Sequence, residues 1–265
     1  MKDQLQREIQ ISQTPKRIVS LVPSQTELLV DLGLTDSIVG VTKFCVNPND
    51  IRSNKTVVGG TKQVHFDKIK ALDPDIILCN KEENTFDMVE ELEQLCPVHV
   101  SDVNNIDTCL ELIIMYGDLF DCEQTARALV DRIVKKKLDF ENFVKALPEL
   151  KAVYFIWKDP FMVVGDNTFI DSMLRLNAFK NVCGNQLRYP QVELDDLMGL
   201  DVDVILLSSE PFPFTDEHAK SMASSFPKTE VRIVDGEMFS WYGSRLLLAF
   251  DYFKSLRQDL NLTAP

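Results

Sequence analysis

Residues 66–78 read FDKIKALDPDIIL, and residues 194–206 read LDDLMGLDVDVIL. The two stretches match at a constant offset of 128 positions: an acid near the start, apolar residues at helical spacing and an aliphatic run at the end. Each copy predicts a short helix, a turn and a buried strand. Because internal repetition of this kind indicates a duplicated unit, the sequence predicts two similar lobes.

A long amphipathic segment, residues 121–147, lies between the two copies. Its apolar residues recur mostly at steps of three and four, as in a helix with one buried face: Ala126, Leu129, Val130, Ile133, Val134, Leu138, Phe143, Val144 and Leu147. Such a helix would be roughly 40 Å long, and Pro148 would end it. We interpret it as a rigid linking helix between an N-terminal α/β lobe, residues 1–120, and a C-terminal α/β lobe, residues 148–265.

Strand and helix patterns alternate in both lobes. Short aliphatic strands are predicted at 18–22, 38–42, 76–79 and 98–100, and again at 151–157, 204–207 and 231–234, with helical patterns between them. This alternation predicts mostly parallel sheets covered on both faces, that is, Rossmann-like three-layer lobes. Ser24 and Glu27 have the spacing of a capping box at the start of the first helix, and Asp107 is predicted to cap a later one.

Composition excludes several classes of function. The chain is 45% apolar and 26% charged, as in an ordinary globular protein, and its formal net charge of −13 argues against a nucleic-acid partner. No apolar run approaches the roughly 18–20 residues of a membrane span, so we expect no integral membrane protein. Residues 1–10 lack the apolar segment of a secretory signal, which keeps a cytoplasmic location open.

The residues that usually carry catalysis form no recognisable motif. Glycine-rich nucleotide loops and a G-x-S-x-G nucleophile are absent from the sequence, so we expect no enzyme. The six cysteines have no C-x-x-C spacing and are expected to be free thiols, with Cys79 and Cys109 buried. Glu82 and Glu83 have two interpretations, an acid–base pair or acids that favour the start of a helix.

Candidate binding residues follow the predicted strands. Ligands of parallel α/β sheets bind beyond the carboxyl ends of the strands, which singles out Pro23 and Ser24, Lys43 and Phe44, and residues 80–83. Aromatic residues concentrate near such strand ends and near Pro/Gly turns, where they fit either a core or a pocket: Phe44, Trp157, Phe161, Tyr189, Phe239, Trp241 and Tyr242.

Residues 17–28, RIVSLVPSQTEL, resemble the opening of the class III substrate-binding proteins of ABC importers, a family that carries cobalamin and iron chelates. The repeated block and the long central helix belong to the same resemblance, which covers about residues 17–256. It implies a ligand cleft between the two lobes, little hinge motion and no intrinsic cofactor. The implied partners are a metal-bearing small molecule and an ABC permease with its ATPase. We expect a monomer in the periplasm or at the cell surface.

The resemblance also implies docking residues. One acid per lobe docks on arginines of the permease in the cobalamin-binding members, and Asp67 and Asp195 stand at the matching positions. The family often has glutamate there. In the alternative interpretation, each aspartate caps the helix that it begins.

The strand-end rule and the resemblance together predict the following ligand-binding residues: Pro23, Ser24, Phe44, Thr61, Asn80, Lys81, Phe161, Tyr189, Trp241 and Tyr242. Three of these aromatics, Phe44, Phe161 and Tyr189, match pocket positions of the cobalamin binders, whereas Thr61 and Asn80 replace tryptophans. His65 is a candidate to contact the ligand or its metal. We interpret the ligand as cobalamin or a related corrinoid. Basic residues near the predicted loops (Lys43, Lys62, Lys81, Arg188 and Arg245) would suit an anionic ferric chelate instead. The alternatives are therefore an iron-siderophore or haem receptor, or a cytoplasmic corrinoid- or metal-handling protein of similar architecture.

Overall fold

The structure is a computed structural model that describes residues 1–262. It divides into two compact α/β units. Unit 1 comprises Met1–Val134 together with Trp241–Arg245, and unit 2 comprises Lys135–Ser240 and the chain from Leu246 onward. Two α/β units with mostly parallel sheets were the predicted fold class, and the structure confirms it.

Unit 1 contains one parallel sheet of five strands in the order β3-β2-β1-β4-β5. The strands are β1 (Ile18–Ser20), β2 (Ile38–Val41), β3 (Thr56–Val57), β4 (Ile76–Asn80) and β5 (Val98–Ser101). The helices are α1 (Pro23–Asp31), α2 (Ile51–Asn54), α3 (Phe66–Ala71), α4 (Phe86–Leu92) and α5 (Ile106–Leu119). The predicted strands are all present, whereas α2 and β3 are too short to leave a periodic pattern.

Side chains of this sheet alternate between two covered faces. Ile77 and Cys79 of β4 pack in one cluster with Ile69 of α3 and Val89 of α4. On the other face, the ring of His99 in β5 lies 5.3 Å from the ring of Tyr116 in α5. Helices therefore bury both faces, and each aliphatic side chain removed from water contributes about 1.5–3 kcal/mol to stability.

The predicted linking helix is α6 (Glu123–Val144), which is shorter than residues 121–147. Asp121 cannot be helical because its φ is +57°. The residues of α6 are divided between unit 1 and unit 2 after Val134. Its buried residues include Phe140, which packs on Phe250 and Phe253 with ring centroids 6.0 and 6.1 Å apart, whereas Leu138 is 54% exposed.

Unit 2 contains a second sheet in the order β10-β9-β6-β7, with β8 also paired to β6. All pairs are parallel except β6 with β7. The strands are β6 (Leu150–Trp157), β7 (Met162–Val163), β8 (Phe179–Asn181), β9 (Val204–Ser208) and β10 (Glu230–Val234). The helices are α7 (Phe169–Leu176), α8 (Leu194–Met198), α9 (Asp216–Ser225), α10 (Gly236–Ser240) and α11 (Leu246–Leu262).

The sequence repeat has a shared structural basis in two aspartates. Asp75, just before β4, accepts hydrogen bonds from the backbone N–H groups of Lys16 and Arg17 at 2.7 and 2.9 Å. Asp203, its counterpart before β9, accepts from the backbone N–H of Lys151 at 2.7 Å. Each aspartate thus fixes the start of its own strand to the start of the neighbouring strand. The predicted order of helix, turn and buried strand is confirmed in both copies.

Two predicted helix caps are wrong. Val22 is the N-cap of α1, with Pro23 at the first helical position, where its fixed φ and missing N–H cost nothing. In α5 the cap is Asn105 rather than Asp107, and Asn105 and Thr108 form a capping box. The cysteines agree with prediction: all six are free, and Cys79 and Cys109 are buried.

Buried His99 should make the fold sensitive to acid. Neither of its ring nitrogens has a hydrogen-bond partner among the described residues, and burial lowers the pKa of His99 to about 4. The unfolded chain binds a proton near pH 6.5, so stability is lost as the pH falls from about 6.5 to 4. The free energy of unfolding of His99→Leu minus that of the parent should therefore be about 2 kcal/mol larger at pH 5 than at pH 8. Urea unfolding at both pH values measures this, and a stability difference independent of pH would contradict it.

Candidate functional site

The carboxyl ends of β1 and β4 form the candidate site of unit 1. After β1, the chain adds β2 and β3 on one side of β1 and then β4 and β5 on its other side. The direction in which strands are added to the sheet therefore reverses at β1. Ligands of open parallel sheets bind at such a reversal. Predicted residues Pro23 and Ser24 follow β1 directly, and Asn80 and Lys81 stand at the end of β4.

Gln25 in α1 connects this edge to the rest of unit 1. Its Nε2 donates to the hydroxyl groups of Ser101 at 2.6 Å and Tyr242 at 2.9 Å. Its Oε1 accepts from the Tyr116 hydroxyl at 2.7 Å. Ser24 also hydrogen-bonds Tyr242. Burial raises the pKa of Tyr242 above its usual range, so its hydroxyl stays protonated.

The segment Trp241–Arg245 (the 241–245 segment) is held in unit 1 by further contacts. Arg245 forms a salt bridge with Glu27 of α1 at 2.7 Å, and its guanidinium lies 5.0 Å from the Trp241 ring centroid. Gly243 takes a φ of +95° and donates its N–H to the sulfur of Cys109 at 3.1 Å. The predicted Ser24–Glu27 capping box is therefore replaced by a pairing of Glu27 with Arg245. Trp241 and Tyr242 are each only 6% exposed.

Residues 80–84 form the β4 loop, which is fixed by two asparagines. The Oδ1 of Asn80 accepts from the backbone N–H groups of Glu82 at 2.8 Å and Glu83 at 3.2 Å. Asn84 accepts from the backbone N–H of Asn80 at 2.8 Å and donates to the carbonyl of Thr61 at 2.8 Å. Asn80 is 2% exposed, so much of its polar surface is used within the protein.

Glu83 lies in the predicted stretch 80–83, although the sequence did not distinguish its role from that of Glu82. Its half-buried carboxyl lies close enough to the side chain of Thr61 and to Tyr242 to interact with both electrostatically. Burial raises the pKa of Glu83, nearby Lys62 lowers it, and Glu82 raises it further. In the sequence, Glu82 and Glu83 differ only in which comes first, so no other signal could have shown which of the two carboxyls lies near Thr61 and Tyr242.

Phe44 presents an aromatic surface at the carboxyl end of β2. Its side chain is 49% exposed, and the ammonium of Lys43 lies 4.9 Å from its ring centroid. Gly60 lets the backbone lie close to the Phe44 ring, because a Cβ at position 60 would be only 3.2 Å from that ring.

Most of the predicted basic residues of unit 1 already have acceptors. Lys81 pairs with Asp102 at 2.7 Å, and Arg245 pairs with Glu27. Lys62 donates to a backbone carbonyl of the β4 loop. Because these three side chains already bind oxygen atoms of the protein, they do not form a free cationic cluster.

Unit 2 places aromatic residues near the carboxyl end of β6. Phe161 is half-buried, with its ring 5.6 Å from that of Phe155, and Tyr189 is also half-buried. Trp157, the last residue of β6, is 39% exposed and lies 5.7 Å from the ring of Phe212. Trp157 belonged to the predicted aromatic group but not to the predicted contacts. Its exposure makes it a stronger candidate than the sequence indicated.

The predicted docking acids and His65 lie on the surface. Asp67 and Asp195 are both exposed and lie in the first turns of α3 and α8. Neither acid is the N-cap, since these positions belong to His65 and Glu193, but both still lie where the helix dipole favours negative charge. His65 is exposed, and no group of three or more potential metal ligands occurs in residues 1–262. Among the described helices, none combines the length and apolarity needed to cross a bilayer.

Solved structures share the fold of this chain. The periplasmic vitamin B12 binding protein BtuF of Vibrio cholerae aligns with a TM-score of 0.80 at 18% identity, covering 93% of this chain and 98% of that one. The periplasmic haem-binding protein RhuT from Roseiflexus sp. RS-1 aligns with a TM-score of 0.81 at 15% identity, covering 93% and 99%.

Sequence comparison identifies a more similar relative. The uncharacterized ABC transporter substrate-binding lipoprotein YvrC of Bacillus subtilis is 28% identical over 212 residues, which cover 77% of this chain and 67% of YvrC. These similar proteins are binding proteins, and the prediction that the chain is not an enzyme agrees with them. The Periplasmic binding protein family matches residues 18–231, and the chain therefore belongs to this family of substrate-binding proteins, as residues 17–28 predict.

Proposed function

We propose that the chain is the solute-binding receptor of an ABC importer and that its ligand is cobalamin or a related corrinoid. The observation that carries the choice of ligand is the pairing of the basic groups in unit 1. Lys81 and Arg245 are paired with Asp102 and Glu27, which leaves hydroxyl groups, aromatic rings and the ammonium of Lys43 as the principal recognition groups. A corrinoid is apolar on its faces and fringed with amides, so it requires such groups more than charge.

The proposed ligand contacts are those named from the sequence: Pro23, Ser24, Phe44, Thr61, Asn80, Lys81, Phe161, Tyr189, Trp241 and Tyr242. Exposed Phe44 is well suited to stack on an apolar ligand face. For the deeply buried Asn80, a role in fixing the β4 loop is better supported than direct contact. We add Trp157 to this set because its indole is exposed at the end of β6.

The proposed partner is an ABC permease with its ATPase, on which Asp67 and Asp195 would dock. Both carboxylates are exposed, as a docking role requires. The proposed location is the periplasm or the cell surface, which is supported by membership of the Periplasmic binding protein family and by the lipoprotein relative.

A ferric chelate or haem receptor is the second candidate function. Lys43 favours it, because this exposed ammonium next to the Phe44 ring offers a cation beside an apolar surface. Haem and many ferric chelates carry carboxylates or other anionic groups that such a pair would bind. Structural likeness to the haem-binding protein RhuT supports the same candidate at the level of the fold.

Titration of the purified chain with cobalamin, cobinamide, haemin and a ferric siderophore tests the proposal. Calorimetry and visible absorbance should show saturable one-to-one binding of a corrinoid, at least about tenfold tighter than haemin, which corresponds to about 1.4 kcal/mol. The ligand should be recovered chemically unchanged. Preference for haemin or the siderophore would favour the second candidate, and no binding of any of the four would contradict both.

A further inference from the structure

Glu83 has a fixed position at the carboxyl end of β4. Its backbone N–H donates to the Oδ1 of Asn80 at 3.2 Å, and its carboxyl lies close enough to the side chain of Thr61 for that side chain to lower its pKa. Asn84 binds the carbonyl of the same Thr61 at 2.8 Å. The backbone that carries Glu83 and the neighbouring Thr61 are thus both fixed, and the Glu83 side chain is half-buried between them.

The groups that face this carboxyl come from three parts of unit 1. Lys62 and the Thr61 side chain approach from the segment between β3 and α3, Glu82 from the β4 loop, and Tyr242 from the 241–245 segment. Lys62, the one cation among these groups, donates to the carbonyl of Glu82. The positive charge near Glu83 is therefore shared with another acceptor.

We propose that Glu83 is a specificity-determining residue of the ligand site, which accepts hydrogen bonds from neutral amide N–H groups on the rim of a corrinoid and disfavours rims that carry carboxylates. This inference depends on the proposed function, because it assumes that the ligand contacts Thr61 and Tyr242. An ionised carboxyl attracts N–H donors and repels a second carboxylate, and the effect is stronger where water is displaced.

Proton linkage follows from the same geometry. A carboxylate-bearing ligand binds beside Glu83 at lower cost when Glu83 has taken up a proton, so its affinity should rise as the pH falls. A corrinoid amide N–H donates to the ionised form of Glu83, so the affinity for the corrinoid should fall as the pH falls over the same interval. The raised pKa of Glu83 brings this exchange closer to neutral pH.

The test compares cobinamide and haemin binding to the parent chain, Glu83→Gln and Glu90→Gln between pH 5.5 and 8. Glutamine keeps the size of the side chain and can still bond Thr61, so folding should be retained, and an unchanged unfolding midpoint verifies this. At pH 8, Glu83→Gln should bind cobinamide about tenfold more weakly and haemin about tenfold more tightly, with a flatter pH profile for both. Glu90→Gln removes the same charge from the exposed surface of α4 and should change neither affinity by more than about twofold.

The outcomes separate this inference from the proposed function. If the parent binds cobinamide and Glu83→Gln binds both ligands as the parent does, or shifts both affinities in one direction, the role of Glu83 is wrong and the receptor function stands. If the parent binds neither cobinamide nor haemin, the role of Glu83 is wrong, and the receptor function is wrong as well if cobalamin and the ferric siderophore also fail to bind.

Discussion

The double variant Asp67→Lys/Asp195→Lys is expected to abolish ligand uptake by cells while leaving ligand affinity intact. The two acids lie in the first turns of α3 and α8, one in each unit, and both are exposed. Lysines would oppose the permease arginines on which we propose that these acids dock, and like charges at an interface cost several kcal/mol. Uptake of labelled ligand into cells that contain the cognate permease, together with calorimetry on the purified variant, measures both quantities.

Asp87→Lys/Asp216→Lys is the matched control for this prediction. Asp87 and Asp216 are also exposed and lie in the first turns of α4 and α9, so the control makes the same change of charge in the first turns of two other helices. It should transport normally. Normal uptake by the Asp67/Asp195 variant, or an equal loss in the control, would show that these two acids have no specific docking role.

Glu27→Ala is expected to destabilise the protein by about 3–5 kcal/mol. The side chain of Arg245 is 7% exposed and that of Glu27 is 15% exposed, so the variant would leave a guanidinium charge largely buried without its carboxylate. The ring of Trp241, 5.0 Å away, supplies only part of the lost interaction. Denaturation with urea, followed by circular dichroism, measures the change in the free energy of unfolding.

Two further variants show whether this loss comes from the buried charge. Glu141→Ala removes one partner of the surface pair Lys137–Glu141, whose charged atoms are 3.4 Å apart, and should cost no more than about 0.5 kcal/mol. Replacing both buried partners, as in Glu27→Leu/Arg245→Met, should recover much of the stability because no unpaired charge remains. If Glu27→Ala behaved like Glu141→Ala, the buried pair would have little energetic weight.

Local patterns predicted most of the fold because the elements of each unit are short and regular. The repeated block gave the correct order of helix, turn and strand twice, since its aliphatic run and turn residues act within about a dozen positions. The cap of α1 was wrong because Glu27 pairs with a residue 218 positions away, which competes with the local Ser24–Glu27 pattern. No periodicity in a sequence reports such a partner.

For the candidate site, the sequence indicated some residues that lie close together but not their burial or their partners. The strand-end rule selected Asn80 and the family resemblance selected Tyr242, and both lie in one hydrogen-bonded network with Ser101. It could not show that Asn80 is 2% exposed or that Lys81 pairs with Asp102, because burial and pairing depend on the tertiary structure. For the same reason, it selected residues 80–83 together and could not show what surrounds the carboxyl of Glu83.

The place of the 241–245 segment in unit 1 bears on how the polypeptide matures. Gln25 can bind Tyr242 only after nearly the whole chain has left the ribosome. Unit 1, most of which is synthesised first, therefore cannot finish folding before residues 241–245 have been synthesised. A nascent chain halted before position 241 would still lack the partner of Glu27. Cutting the gene within α6 would accordingly give an N-terminal fragment that lacks the 241–245 segment of its own core, because the C-terminal half of the sequence supplies that segment.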